Sequence, residues 1–433
     1  GFAPLPGKAA EAERRLLGIL LAAYLILGIG YSVITPIFEA SDELWHNPMV
    51  KYLADHGLAL PSQEVGVTTA WRQEGSQPPL YYMLAAVLTG GIDSADLDLV
   101  RRQNPHADIG VVRPDGNVNM IVHRADLEAF PWRGATLAVH VARLLSVALG
   151  LGTIWVTWRL GAALFPDQPL IALGAAAFNA FLPMFLFIAG SVNNDNLSNL
   201  LGNLLTLLIV LLLKAHAQPR LRDYVLIGVV TGAGLLAKLN IGFLVPLVAL
   251  ALLVLTLRLR SARPLLLGGL ISGGLTIAIA GWWYWRNFQL YGDPSGINRF
   301  LDIVGRRAIP ANAAQLWAER DSFAQAFWGF FGGVNVPLPD PVYAVFNLIG
   351  IIGLAGAAAF IVTTLARRQW PIERWLPAAA TIVWPIVTFI SYLRWTAETP
   401  ASQGRLIFGA LSALCVWCAV GLTWWLPGKL RPW

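Results

Sequence analysis

From Phe38 to His46 the chain reads Phe-Glu-Ala-Ser-Asp-Glu-Leu-Trp-His, which sets three carboxylates (Glu39, Asp42, Glu43) and one imidazole (His46) close together. A carboxylate in such a place can take the proton of an attacking hydroxyl, or fix the orientation of an imidazole. If the stretch is helical, Asp42 and His46 lie one turn apart on one face, where they could hold a metal ion together. Helix physics offers a plainer alternative: Ser41 and Asp42 cap a surface helix and Glu43 decorates its first turn. Both readings stand at this point.

Other chemistry-bearing residues recur at similar places. Glu74 opens Glu-Gly-Ser-Gln-Pro-Pro-Leu-Tyr-Tyr, a run ending at Tyr82. Asp195 is the one charge in the short segment Ser191-Val-Asn-Asn-Asp-Asn196, where it or its asparagine neighbours could also cap the next helix. Lys238, Arg286 and Arg405 are cations at the ends of long apolar runs. Snorkelling explains a cation there. Pairing with a phosphate at headgroup depth explains it equally, and polar groups at membrane depth tend to be functional.

The elements that must position these residues are membrane spans. The 433 residues are 56% hydrophobic and 13% charged, with a mean hydropathy of +0.59. Apolar runs of about 20 residues recur, the length that crosses about 30 Å of hydrocarbon. Ten spans are predicted: 16–37, 134–158, 168–189, 197–214, 222–238, 241–257, 264–286, 341–366, 374–393 and 404–426. The segment 78–91 is too short to cross and begins with two prolines, so it reads as a helix lying at the surface or dipping in. With that count, 15 of the 31 Lys and Arg fall on one side, and the positive-inside rule places both termini in the cytoplasm. Residues 1–15 form a cytoplasmic tail, and 16–433 one membrane domain. Two long outer loops, 38–133 and 287–340, face the extracytoplasmic side, which also receives 20 of the 25 acidic residues.

The fold class expected is therefore an all-α polytopic membrane protein of the plasma membrane. Its net charge of +6 follows the membrane and is no nucleic-acid signal. The 18 Trp suit interfacial anchoring, and Cys415 and Cys418 sit in an apolar helix with no second ligand pair, which favours packing over zinc or redox chemistry. A transporter or lipid flippase would show internal repeats and midplane charges. Here Arg143 is the main charge well inside a span, and the polar groups gather at the outer rim.

In order and spacing the chain resembles the GT-C glycosyltransferase superfamily, the group of protein O-mannosyltransferases, lipid A aminoarabinose transferases and other polyprenyl-phosphate-sugar-dependent enzymes. The resemblance rests on Asp42-Glu43 after the first span, Pro78-Pro-Leu-Tyr-Tyr82 opening a juxtamembrane helix, and Arg143-Leu-Leu-Ser in the second span. Asp195 after the third span and Lys238 in the tight turn after the fifth complete it. It implies that Asp42, with Glu43 beside it, is the catalytic carboxylate. It implies that Lys238 binds the donor phosphate and that Asp195 helps build the acceptor or metal site. The expected substrate-binding set is Lys238, Arg405, Arg286, Asp195, Glu74 and Tyr82, and the expected ligands of a divalent metal are Asp42, His46 and Asp195. The expected partners are a polyprenyl-phosphate-linked sugar, membrane lipids and a protein, glycan or lipid acceptor, with no nucleic acid. Gln77 stands where relatives often place a lysine. A GT-C fold kept as a non-catalytic subunit is a further possibility.

Overall fold

A computed structural model describes residues 7–427. Residues 1–6 of the predicted tail, and Lys429 and Arg431 of the charge pattern, lie outside the described residues. The first helix, α1 (Gly7–Ile34), already begins inside the predicted tail, and its segment Glu11–Ile34 is long and apolar enough to cross a membrane.

Eight helical segments among the described residues have the length and composition of a span, or nine if one bent pair counts as a single crossing. The chain is a multi-pass membrane protein, but the predicted ten differ from this at two places. The run 168–189 is the bent pair α5 (Pro169–Ala180) and α6 (Pro183–Ala189), which meet at 62°. Pro183 has no N–H for the ladder and clashes with the preceding turn, so the helix breaks just before it. The run 222–238 is α8 (Leu221–Leu235), only 15 residues and about 22 Å long. Its chain leaves the helix at Leu236, whose carbonyl accepts the Leu80 amide at 2.9 Å, and Lys238 is fully extended. The last turn is given up to dock the segment that begins at Leu80.

Leaving aside short helices in the two outer loops, the chain also forms α2 (Glu43–Asp55), α3 (Leu80–Thr89), α4 (Gly134–Leu164), α7 (Asp195–Leu213) and α9 (Val245–Leu259). After them come α10 (Gly269–Tyr291), α11 (Asp340–Ala366), α12 (Ile372–Glu398) and α13 (Leu411–Trp424). The ten residues of α3 are too few to cross, as expected of 78–91. In lipid, helices associate through close packing, and small residues make it possible. Gly228 and Gly232 of α8 do so against α10, where an added Cβ would come within 2.8 Å of the Ser272 carbonyl and 2.9 Å of Ile279.

The two long loops interlock over one end of the bundle. A two-stranded hairpin, β1 (Phe330–Phe331) and β2 (Val336–Pro337), pairs Phe330 with Pro337. The strap 104–123 lies against it: Gly110 N–H donates to the Gly333 carbonyl at 2.8 Å and Asn335 Nδ2 to the Val118 carbonyl at 2.8 Å. On α10's side, Arg286 donates to the carbonyls of Leu60 (3.2 Å) and Pro61 (2.8 Å).

Candidate active site

Four helix ends bring the central charges together. Asp42 stands just before α2 with φ at 66°, a left-handed conformation that Asp tolerates better than most residues. Its side chain makes no cap hydrogen bond, and Ser41 Oγ donates instead to the Gly332 carbonyl at 3.1 Å. The capping alternative therefore does not describe this pair. Asp195 is the first residue of α7. The N-cap Asn194 makes no side-chain cap hydrogen bond, and Asn193 Oδ1, one residue earlier, accepts the Asp195 amide at 2.8 Å, while the Asp195 carboxylate is turned to Arg405 and Lys238. Lys238 comes from the extended turn after α8, and Arg405 from the 3-10 turn Gly404–Ala410 ahead of α13.

These four form one alternating chain. Arg405 Nη2 donates to Asp42 Oδ2 at 2.6 Å and Arg405 Nη1 to Asp195 Oδ2 at 2.6 Å, while Lys238 Nζ pairs with Asp195 Oδ1. Gln403 Oε1 accepts from Arg405 Nε at 2.8 Å. The middle members are sealed, with side-chain exposures of 4% for Arg405 and 6% for Asp195. The ends are open: 28% for Asp42 and 25% for Lys238. A buried guanidinium held by two carboxylates is rigid, and breaking such a pair is strongly unfavourable.

A second network backs the first. Tyr82 Oη donates to Glu74 Oε2 at 2.6 Å and meets His46 Nδ1 at 2.8 Å. Gln77 Nε2 and Gln73 Nε2 also donate to the Glu74 carboxylate, at 2.6 and 2.7 Å. Asn194 joins this network to the α7 turn through Gln77 Oε1 at 2.6 Å. Burial pushes Glu74 above the usual carboxylate range, with His46 and the Tyr82 hydroxyl pulling against it. Burial likewise pushes the Tyr82 hydroxyl well up, so it serves as a donor and not as a phenolate. Gln77, flagged as a departure from the family pattern, is thus a member of the network.

Glu43 is placed differently from its neighbour. It is wholly buried against Arg143 of α4, with Arg143 Nε on Oε1 at 2.8 Å and Arg143 Nη2 on Oε2 at 2.5 Å. The amides of Phe38 and Val192 fill its remaining acceptor sites, each at 2.8 Å. Arg143 also donates to the carbonyls of Ser32, Thr35 and Pro36. With every lone pair taken, Glu43 fastens α1, α4 and the loop after α6, and has no capacity left for a substrate proton. Sequence reading missed this partnership, although Arg143 was visible as a charge inside a span that needs a counter-ion.

Arg286 stands apart from the charge chain, its Nη2 donating to the backbone carbonyls of Leu60 and Pro61, and the expected metal set is not met. No group of three or more His, Cys, Asp or Glu suited to hold a metal ion occurs among the described residues. Asp42 and Asp195 are committed to cations and His46 Nδ1 to Tyr82, so the expected Asp42, His46 and Asp195 set does not fit a metal ion as arranged.

Comparison with known proteins bears on this arrangement. The family model described as dolichyl-phosphate-mannose-protein mannosyltransferase matches residues 137–285, which include Arg143, Asp195 and Lys238. No curated protein sequence matches the chain. Among solved structures, ArnT from Cupriavidus metallidurans in the apo state superposes with a TM-score of 0.53 at 16% identity. The match covers 96% of this chain and 61% of ArnT. The same protein bound to undecaprenyl phosphate gives 0.52 at 15% identity, with 95% and 60% covered. The Archaeoglobus fulgidus oligosaccharyltransferase AglB, in complex with an inhibitory peptide and a dolichol-phosphate, gives 0.51 at 12%, with 94% and 50% covered. The chain therefore spans about half to three fifths of the length of these proteins, and what it shares with them is the fold.

Proposed function

We propose that this chain, which has the fold of the GT-C membrane glycosyltransferases, moves a sugar from a polyprenyl-phosphate donor to an acceptor hydroxyl on the extracytoplasmic face of the plasma membrane. The observation that carries the reading is the ion-pair chain with a buried middle and two accessible ends of opposite charge. An accessible ammonium beside a buried guanidinium suits a phosphate, and an accessible carboxylate suits a hydroxyl proton.

The reaction is an inverting displacement. The acceptor oxygen attacks the anomeric carbon as Asp42 takes its proton. The bond from that carbon to the phosphate oxygen breaks, and the electron pair leaves with the lipid phosphate. Lys238 and Arg405 offset the charge that gathers on the departing oxygen. Lys238 is already held by Asp195, so a phosphate can share it without the full penalty of stripping a lone ammonium of water. The chain supplies position and charge, and needs no covalent intermediate.

Asp42→Asn tests the base. It keeps a hydrogen-bonding group near Arg405 but cannot accept the proton, so transfer in membranes supplied with polyprenyl-phosphate-linked hexose and pentose should fall about 100- to 10,000-fold, with folded protein retained. Near-normal transfer by this variant would remove Asp42 from the mechanism.

A further inference from the structure

A cavity of about 420 Å³ lies between α1 and the outer loops, and none of Asp42, Asp195, Lys238 and Arg405 lines it. One wall is α1, through Ile26, Gly30 and Ile34. The other is Phe331 of the hairpin with Val118 of the strap, and Glu39 is also in the lining. We propose that this groove holds the apolar chain of the acceptor, so that the acceptor is itself anchored in the membrane by a lipid. The proposal rests on the transferase reading above and adds a substrate class to it.

The order of charges decides which substrate the groove serves. The chain of pairs runs Asp42, Arg405, Asp195, Lys238, so the phosphate-binding end and the proton-accepting end are separate. In a displacement, the attacking oxygen approaches the anomeric carbon from the side opposite the leaving phosphate. The acceptor therefore arrives at the Asp42 end. The groove is at that same end: Ser41, next to Asp42, is hydrogen-bonded to Gly332, which lines it.

The walls say what kind of molecule fits. Ile26 and Ile34 are 72% and 82% exposed on a helix that crosses the membrane, so the mouth opens on hydrocarbon and is reached from within the bilayer. The polar side chains in the lining are Tyr31, Thr35, Glu39 and Asn119, and Thr35 and Glu39 share with Asp42 the short loop between α1 and α2. Glu39 adds no loose charge there, because its carboxylate accepts the amides of Met120 (2.8 Å) and Ile121 (3.2 Å) and faces His123 Nε2 at 3.0 Å. The result is a mostly apolar slot whose polar lining includes two residues of the loop that carries the base. Its volume lies in the range of sites that enclose one ligand, about 300–1,000 Å³.

Photolabelling in nanodiscs tests this with two probes: a dodecyl amphiphile with a neutral head and a diazirine in its chain, and a diazirine-bearing polyprenyl phosphate. The amphiphile should label peptides containing Tyr31 and Phe331 saturably, and excess polyprenyl phosphate should not displace it. Gly30→Trp should reduce that labelling about tenfold. A Cβ at Gly30 meets nothing within 4 Å, so this variant fills the groove without a clash at its root. Displacement of the amphiphile by polyprenyl phosphate would assign the groove to the donor and overturn the proposal. Labelling that never saturates and ignores Gly30→Trp would mark ordinary surrounding lipid, and would overturn it too. Polyprenyl phosphate labelling should fall in Lys238→Ala. If it does not while groove labelling behaves as stated, the transferase reading fails instead, and with it the basis for naming an acceptor.

Discussion

Arg405 holds two carboxylates at once, and its burial makes it the member of the ion-pair chain whose removal should hurt the fold most. Arg405→Ala leaves Asp195 buried beside Asp42 with only Lys238 to compensate, and should destabilise the protein by about 3–5 kcal/mol. Lys238→Ala removes a quarter-exposed ammonium and should cost about 1 kcal/mol or less. Thermal unfolding in detergent distinguishes them, and equal losses would contradict the division into a buried middle that holds the fold and accessible ends that do not. A second prediction concerns His123, which lies between Glu39 (3.0 Å) and Glu128 (2.8 Å) and is raised above the usual imidazole range, chiefly by its hydrogen bond to Glu39. A raised folded value means the clamp is complete below the unfolded value, about 6.5, and is lost as pH rises through the folded one. Amide exchange across 101–128 should therefore quicken with rising pH above about 6.5 beyond its intrinsic rate. His123→Gln should flatten that dependence, and an unchanged profile would dismiss the clamp.

The residue scale is also where sequence reading succeeded unevenly. Asp42, Asp195, Lys238 and Arg405 were legible because each is a charge at a span end on one predicted side. Asp42 and His46 were expected to share a helix face, yet Asp42 precedes the helix in a left-handed turn and points to Arg405, whereas His46 lies inside it against Tyr82. The left-handed conformation at Asp42 sets it outside the helix, and no spacing rule reveals it. Arg286 carried the same signal as Arg405, because a cation at a span end looks alike whether carboxylates or backbone carbonyls receive it.

At the scale of elements, prolines and short helices govern the path of the chain. Pro48 lies inside α2 and cannot bond the Leu44 carbonyl, which instead accepts Arg101 Nε at 2.7 Å. A helix-breaking residue thus becomes an attachment point for the outer loop. The helix α3 shows the complementary case, since its length made it readable as a non-crossing element from sequence alone. Single-cysteine labelling with a membrane-impermeant maleimide checks this. Ser62→Cys and Gly91→Cys flank α3 and should react from the same side of the membrane, with Gln218→Cys, in the exposed turn between α7 and α8, reacting from the other. The two native cysteines are buried and should stay silent. Reaction of Ser62→Cys and Gly91→Cys from opposite sides would make α3 a crossing and invert every later loop. The short α8 was not legible, because its apolar run continues to Ala237 while its hydrogen bonds pass to α3 at Leu236.

At the scale of the whole molecule, two loops far apart in sequence close over the end of the bundle that carries the charges. Composition announced them only as acidic and polar. Their interlocking through Gly110 with Gly333 and Asn335 with Val118 ends on backbone carbonyls, which leave no trace in residue types. The arrangement separates two tasks that a binding isotherm can pull apart. Polyprenyl phosphate should bind purified wild type and Asp42→Asn alike, and should bind Lys238→Ala about tenfold more weakly or worse, a difference of about 1.4 kcal/mol. Undiminished binding by Lys238→Ala, with binding lost in Asp42→Asn, would contradict the account at its centre.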